Sequence, residues 1–437
     1  MLMTFSVGNF RSFKETVTFS MVAANITAKN KDLDRENLFS IGNVSLLKSA
    51  SIYGANASGK SNVLRAFAFM KDFVLHSTEG TSQSRIDIQP FLLSTETDDK
   101  PSFFEAVFLI EGIRYRYGFE VERERVHTEW LYRTKKRETE LFWREGSQIE
   151  HNRSGFREGQ DDLKARTREN ALFLSVVDQW NGRMAGEIVS WFKNARMISG
   201  LNDFSNFDFT VEQIFEGTIG LEISKFIRQI DLGISDVRAE KNAPNWTYLK
   251  QVIKNSTLSQ QEQVELLEAP WEPIISYDVK TIHNRYDKSN KVVGQVEFDL
   301  NNHESEGTKK AFSLSGAILY ALQKGQVLFI DELDARLHPL ITRHIIELFN
   351  SNYTNPNNAQ LIFVTHDTNL LDNQLFRRDQ IWFTEKNRYG ATDLYSLVEY
   401  ELPVRYDASF ESDYIAGKYG AIPYLGNIKR LVGEMNE

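Results

Sequence analysis

The 437-residue sequence contains no cysteine. That removes disulfides, thiolate metal sites and thiol catalysis from consideration, and it fits a reducing cytoplasm. No excess of positive charge is present either: the formal net charge is -9, so bulk charge does not make the chain a nucleic-acid binder, although a local basic patch remains open. Long apolar runs are missing. Stretches such as Val327-Leu-Phe-Ile330 fall far short of the roughly 20 residues a spanning helix needs. The N-terminus, MLMTFSVGNFRSF, lacks a basic segment followed by an apolar one. No internal repeat or low-complexity segment occurs. These absences point to a soluble cytoplasmic protein with no membrane partner.

What is present is ordinary for a globular chain: 41% hydrophobic, 25% charged and 12% aromatic residues. Disorder needs few aromatics, so a large core without staples is expected. The length suits one large or two to three ordinary domains. TFSVGNF and VTFSMV read as strands on either side of Arg11-Ser12. Residues 44–53 (VSLLKSASIY) read as a strand entering a glycine loop, and SNVLRAFAFMKDFV leaves it at helical spacing. Residues 103–150 alternate with period two and predict a β-meander. From about 160 to 270 the pattern is mostly helical (ALFLSVVDQW, AGEIVSWFKNA, GLEISKFIRQI, QEQVELLEA), ending at Pro270 and Pro273. A hairpin across Lys288-Ser289-Asn290 follows. Then come a helix over 308–324, a buried strand over 327–331, a helix near 338–350, a strand over 360–365 and two closing strands around Arg388-Tyr389-Gly390. The expected divisions are 1–100 with the glycine loop, 101–158 as a meander lobe, 159–272 as a helical insertion and 273–437 as a C-terminal lobe.

Gly54-Ala-Asn56-Ala-Ser58-Gly59-Lys60-Ser61 matches G-x-x-x-x-G-K-[ST]. Small residues let such a loop curl until successive backbone N–H groups face one anion, and the following helix adds its positive end. Lys60 is expected to neutralise the β- and γ-phosphates of a nucleotide, Ser61 to ligate Mg²⁺, and Asn56 and Ser58 to line the cradle. Val327-Leu-Phe-Ile-Asp331-Glu332 is an apolar strand ending in two carboxylates. Asp331 suits an outer-shell Mg²⁺ partner, and Glu332 suits a base that orients and deprotonates water.

Three further positions admit two readings each. Asp334 is either part of the site or an ordinary cap, and His338 reads as structural, ahead of Pro339 in a first helical turn. His366, after Phe363-Val364-Thr365, stands level with Asp331 if the two strands are parallel neighbours, and reads either as a γ-phosphate contact or as a helix cap. Ser305-Glu306-Gly307-Thr308 opens a helix and reads equally as an anion site or as a cap.

Taken in order, NFRSF, GANASGKS, SEGTKK, LFIDELDARLHP and VTHDTNLLD resemble the ABC-type ATPases of the RecF, Rad50 and SMC group. Within it the sequence is most similar to stand-alone AAA15-type ATPases that resemble the ATPase part of overcoming-lysogenization-defect (OLD) nucleases, and YIAGKYGAIPYL is also similar to that subgroup. The likeness covers roughly 1–75 and 300–425. It implies an α/β fold: a P-loop ABC-type ATPase head, mixed sheet flanked by helices, with the meander lobe and the helical subdomain inserted. It implies ATP and Mg²⁺, and a head-to-head homodimer or higher oligomer. In that dimer each phosphate loop faces Ser305 and Gly307 of the second copy, Glu332 is the general base, His366 the switch histidine, and Asp334 a contact across the interface. Arg11 with Ser12 matches a turn that touches nucleotide, and Gln89 a metal-sensing glutamine. Two departures stand out: the signature reads SEG rather than LSGGQ, and no long heptad array interrupts the chain. No acidic cluster of Toprim type follows His366, so a Toprim-type or HNH nuclease effector is expected on a separate chain, in antiphage defence. The alternative is a RecF- or SMC-like DNA-binding repair ATPase, and a P-loop kinase acting on a small acceptor is a further rival. Arg133-Thr-Lys135-Lys136-Arg137, with Arg123 and Arg125 near it, reads either as a nucleic-acid contact or as a solvated hairpin tip balanced by Glu138 and Glu140.

Overall fold

A computed structural model describes residues 1–200, 204–230, 233–242, 276–400 and 409–423. Its strands, in chain order, are β1 (Leu2–Gly8), β2 (Val17–Ser20), β3 (Leu38–Ile41), β4 (Val44–Leu47), β5 (Ser49–Gly54), β6 (Ser102–Ile110), β7 (Ile113–Val121), β8 (Val126–Thr134), β9 (Glu138–Glu145) and β10 (Gln148–His151). Further along come β11 (Arg196–Ser199), β12 (Ile234–Asn242), β13 (Ser276–Tyr286), β14 (Val292–Asp299), β15 (Val327–Asp331), β16 (Gln360–Val364), β17 (Ile381–Lys386) and β18 (Thr392–Ser396). The chain falls into two compact units: Met1–Leu201 with Ala321–Glu437, and Asn202–Tyr320.

In the first unit the meander does not stand alone. Strands β10-β9-β8-β7-β6-β1-β2 form one sheet, because β6 pairs antiparallel with β1 from Leu2↔Phe108 to Gly8↔Phe103. Period-two alternation marks a strand as half-buried but does not name its partner. A second sheet, β11-β15-β16-β5-β17-β18, is parallel except for the β17–β18 hairpin. Its central strands read as continuous apolar runs, as strands covered on both faces should. The Lys60–His76 helix lies between the sheets, burying Val63, Leu64, Phe67, Met70 and Val74 at spacings of three and four. Phe67 touches both layers: its ring stacks on Phe329 of β15 at 4.4 Å and meets Phe5 of β1 edge-on at 5.3 Å. Burying one such side chain contributes about 1.5–3 kcal/mol.

One local expectation needs correction. Residues 44–53 are not one strand; they break at Lys48, whose buried ammonium reaches across to the Asn350 carbonyl and the Asn352 side chain. The described part of the 160–270 stretch is mostly helical. Helices Phe173–Gln179, Arg183–Asn194, Phe204–Phe215 and Gly220–Ile230 are interrupted by β11 and followed by β12. β11 is four residues long, too short for alternation to register. QEQVELLEA, Pro270 and Pro273 lie outside the described residues.

The second unit holds an antiparallel β12-β13-β14 sheet with the hairpin turn at Lys288–Asn290, as the sequence predicts. The Glu306–Lys324 helix begins in this unit.

Candidate nucleotide site

Three parallel strands, β15, β16 and β5, lie side by side, and their C-terminal ends carry Asp331, His366 and Gly54 respectively. Ligands of open parallel sheets gather at that edge. The chain after β5 turns through Ala57 at φ 61 and Gly59 at φ 112 before the Lys60–His76 helix starts. A Cβ on Gly59 would lie 2.5 Å from Thr392 Oγ1, so glycine is required there by space as well as by conformation. The result is a helix N-terminus opening beneath a curled loop, an anion site by geometry.

The loop is held from behind. Ser58 is expected to line the cradle, but it is buried and its hydroxyl bonds that of Thr384 at 2.6 Å. Thr392 Oγ1 donates to the Ser58 carbonyl at 2.7 Å, and the Thr392 N–H donates to Ser12 O at 2.7 Å. Asn62 in turn donates to Ser12 Oγ at 2.8 Å. Thus Ser58 fixes the loop's shape rather than facing into it, whereas Asn56 is exposed at its tip.

Lys60 Nζ donates to the Gly54 and Ala55 carbonyls, 2.9 Å each. Burial lowers its pKa to about 8, against the opposing pull of Asp331, Glu332 and Asp334. Ser61 Oγ donates to Asp331 Oδ1 at 2.9 Å, joining residues from the two ends of the sequence. One hydroxyl beside a carboxylate is the hard oxygen set that Mg²⁺ takes when it keeps waters and phosphate oxygens as its other ligands. The residues therefore fit that ion, which Ser61 and Asp331 would hold.

Glu332 adopts φ 54. A left-handed glutamate costs about 1–3 kcal/mol, and such strain collects at functional positions. His366 sits just past β16, its N–H 3.4 Å from Asp334 Oδ2. Partial desolvation, and then the Lys60 charge, hold its pKa below the ordinary histidine value, so the ring is neutral near pH 7. The other Asp334 oxygen is buried without a hydrogen-bond partner. His338 caps the Pro339–Asn350 helix through Nδ1, as a structural residue should.

Arg11 adopts φ 51 and donates its N–H to Gln89 O at 2.7 Å, while its Nε is buried without a partner. Burial, and next Arg65, push its pKa down. Gln89 is exposed, and its side chain has no hydrogen bond among the described residues. In the second unit, Ser305 Oγ accepts from Thr308 N at 3.1 Å, so it caps the helix on which Gly307 lies.

The sequence profile of a family described as "AAA domain, putative AbiEii toxin, Type IV TA system" matches residues 49–372, a span that starts just ahead of the phosphate loop and ends beyond His366. The chain belongs to this AAA-domain family. It is an ATP-hydrolysing enzyme, and its fold is the mixed α/β head, sheets flanked by helices, predicted for an ABC-type ATPase. Among solved structures this AAA-domain chain is similar to the SMC head domain from Thermotoga maritima, at 14% identity over 92% of this chain and 99% of that one, with a TM-score of 0.39. It is also similar to the recombination mediator protein RecF with ATP, at 15% identity over 90% and 97%, with a TM-score of 0.32. A search of curated proteins finds no match. Among the described residues no helix is long and apolar enough to cross a membrane.

Sequence reasoning missed four contributors to the AAA-domain site. Thr384 and Thr392 brace the loop from a hairpin more than 300 positions away. Tyr53 precedes the loop, with its hydroxyl 3.3 Å from Asp367 O. Gly200, just past β11, lies against the Asp331 and Glu332 carbonyls. None carries a motif; their signal is spatial.

Proposed function

We propose that the protein is an ATP-driven switch: Mg-ATP binds at the loop, a head-to-head homodimer closes over it, and hydrolysis reopens it to control a separate effector. The observation that carries this reading is the Ser61–Asp331 hydrogen bond, which joins the phosphate loop and the carboxylate strand in one site. Backbone N–H groups of the loop and Lys60 hold the β- and γ-phosphates, Ser61 and Asp331 hold Mg²⁺, and the bound ion supplies charge neutralisation at the phosphates. A water oxygen bonds the γ-phosphorus while its proton passes to Glu332 and the bond to the β-phosphate oxygen breaks. Neutral His366 orients that water or the γ-phosphate. Arg11, with its unpartnered Nε, supports a contact to the nucleotide. A cleft of about 760 Å³ lined by Glu15, Thr16, Val17, Lys386, Arg388 and Thr392 adjoins the loop at Thr392 and has room for the base and sugar. Ser305, Gly307 and Asp334 serve across the dimer interface, and Gln89 senses the metal.

The AAA15- and OLD-like resemblance supports an antiphage setting with a nuclease effector, in the cytoplasm. A second reading, DNA binding, has one observation behind it. The exposed Lys135, Lys136 and Arg137 have no ion-pair partner among the described residues, since Glu138 pairs with Arg116 at 3.1 Å and Glu140 bonds Tyr132 at 2.9 Å. Turnover stimulated by DNA and suppressed by salt favours that reading; turnover indifferent to DNA favours the switch. Calorimetry with Mg-ATP and mass photometry test the main proposal. Lys60→Ala is expected to abolish binding, and Glu332→Gln to keep binding while accumulating a closed dimer. An unchanged oligomer with full turnover in Glu332→Gln would overturn it.

A further inference from the structure

The sheet edge beside the catalytic strand contains a contact that the phosphate-loop chemistry does not require. β11 pairs parallel with β15, Ser199 opposite Asp331, and the next residue, Gly200, donates its N–H to Asp331 O at 2.6 Å. A Cβ on Gly200 would lie 2.1 Å from Glu332 O, 2.4 Å from Asp331 O and 2.8 Å from Glu332 C. All three are backbone atoms, so no side-chain adjustment relieves the clash. The atoms pressed in this way are the carbonyls of Asp331 and of Glu332, on either side of the Glu332 Cα whose residue holds φ 54. Leu333 N then donates to Val364 O at 3.1 Å, and Ala335 N to Glu332 O at 3.1 Å. Glu332 is therefore fixed from three sides: by Gly200 before it, by β16 after it, and by its own turn. A glutamate in a left-handed conformation persists only where neighbours over-determine it, and the Gly200 contact is the one a single methyl group removes.

We infer that Gly200 is a positioning residue for hydrolysis: its lack of a side chain lets the chain after β11 close on the Asp331 and Glu332 carbonyls and aims the Glu332 carboxylate at the water beside the γ-phosphate. This rests on reading Glu332 as the base. Connectivity extends the role. Gly200 is the last described residue before the chain enters the second unit, and on return the chain runs through the Glu306–Lys324 helix into β15. Both covalent links to the second unit therefore join the two strands that meet at these carbonyls. Positioning to within about 0.5 Å is what catalytic groups need, and a misplacement near 1 Å costs on the order of 100-fold in rate.

The test compares Gly200→Ala, Glu332→Gln, the double variant, and Gly146→Ala as a control. Gly146 has φ +56 with open space around it, so alanine there imposes backbone strain without a clash. Turnover per bound ATP is expected to fall about 100-fold in Gly200→Ala, with the Kd for ATP changed less than about threefold and Gly146→Ala at the wild-type rate. In the Glu332→Gln background, Gly200→Ala is expected to lower the residual rate no further, a non-additivity that a merely structural role does not produce. Wild-type turnover per bound ATP in Gly200→Ala, or full additivity in the double variant, overturns the inference. Full turnover in Glu332→Gln instead overturns the reading beneath it. If Gly200→Ala fails to fold, Ile198→Ala loosens the same strand opposite Ile330 without a clash. It is expected to lower kcat with affinity kept, and an unchanged kcat there counts against the inference.

Discussion

The meander and the phosphate loop both bury charge, and they treat it in opposite ways. At the foot of the meander, Glu129 and Arg144 are almost wholly inaccessible, 0% and 1% exposed. Glu129 accepts from Tyr117 at 3.0 Å and from the Phe173 and Leu174 N–H groups at 2.7 and 3.0 Å, while Arg144 donates to the Gly146, Ala171 and Arg168 carbonyls. At the phosphate loop, Lys60 leans on two carbonyls, an Asp334 oxygen and Arg11 Nε are buried without partners, and Glu332 is strained. Charge that only holds a fold is saturated with hydrogen bonds, whereas charge awaiting a ligand is left short of them.

Three measurements break or sharpen that contrast. The largest effect belongs to the saturated pair. Glu129→Ala is expected to lose about 3–5 kcal/mol of stability, because it leaves Arg144 buried and uncompensated. ATP affinity of the folded fraction should stay unchanged. Chemical denaturation and calorimetry check this, and a loss under about 1 kcal/mol would mean the pair is not holding the fold.

The intermediate effect is pH-dependent. Lys60 in the free protein titrates at about 8, below an ordinary lysine, because burial disfavours its charge. Bound phosphates favour the charge and raise that value. Between the two values the ATP complex therefore holds more protons than the free protein, so affinity is full below about pH 8 and declines above it, with proton uptake on binding. Calorimetry at pH 9 in buffers of different ionisation heat reads the uptake directly. A flat affinity from pH 7 to 10 would remove Lys60 from the site.

The smallest effect tests the loop's rear support. Thr392→Val removes the donor to Ser58 O and is expected to cost about 1 kcal/mol of ATP affinity, roughly fivefold, by letting the loop relax. Equal affinity would show that the hairpin braces nothing.

How much of this was legible in the sequence divides along the same line. Gly54 to Ser61, Asp331 and Glu332 were legible because phosphate binding and water activation need fixed residue types at fixed spacing, and β15 was legible because a strand covered on both faces reads as an apolar run. His366 was legible only on condition that β15 and β16 are parallel neighbours, and they are. Glu129 and Arg144 sit 15 positions apart in unremarkable strands, and nothing in their spacing announces a buried pair. Gly200, Thr384 and Thr392 matter through what lies next to them in space, and one sequence does not encode adjacency. Ser58 was misread because its residue type fits a phosphate cradle and a buried brace equally well.

The pairing of β5 has a consequence for how the chain is made. β5 is complete at Gly54, yet its neighbours β16 and β17 end at Val364 and Lys386. Strands β1, β2 and β6 to β10 all lie within the first 151 residues and can pair while synthesis continues. At about 5–20 residues per second, the nascent phosphate loop then spends tens of seconds without the strands that flank it. A ribosome-bound chain truncated before Lys386 would carry the whole glycine motif and still lack the framework that shapes it.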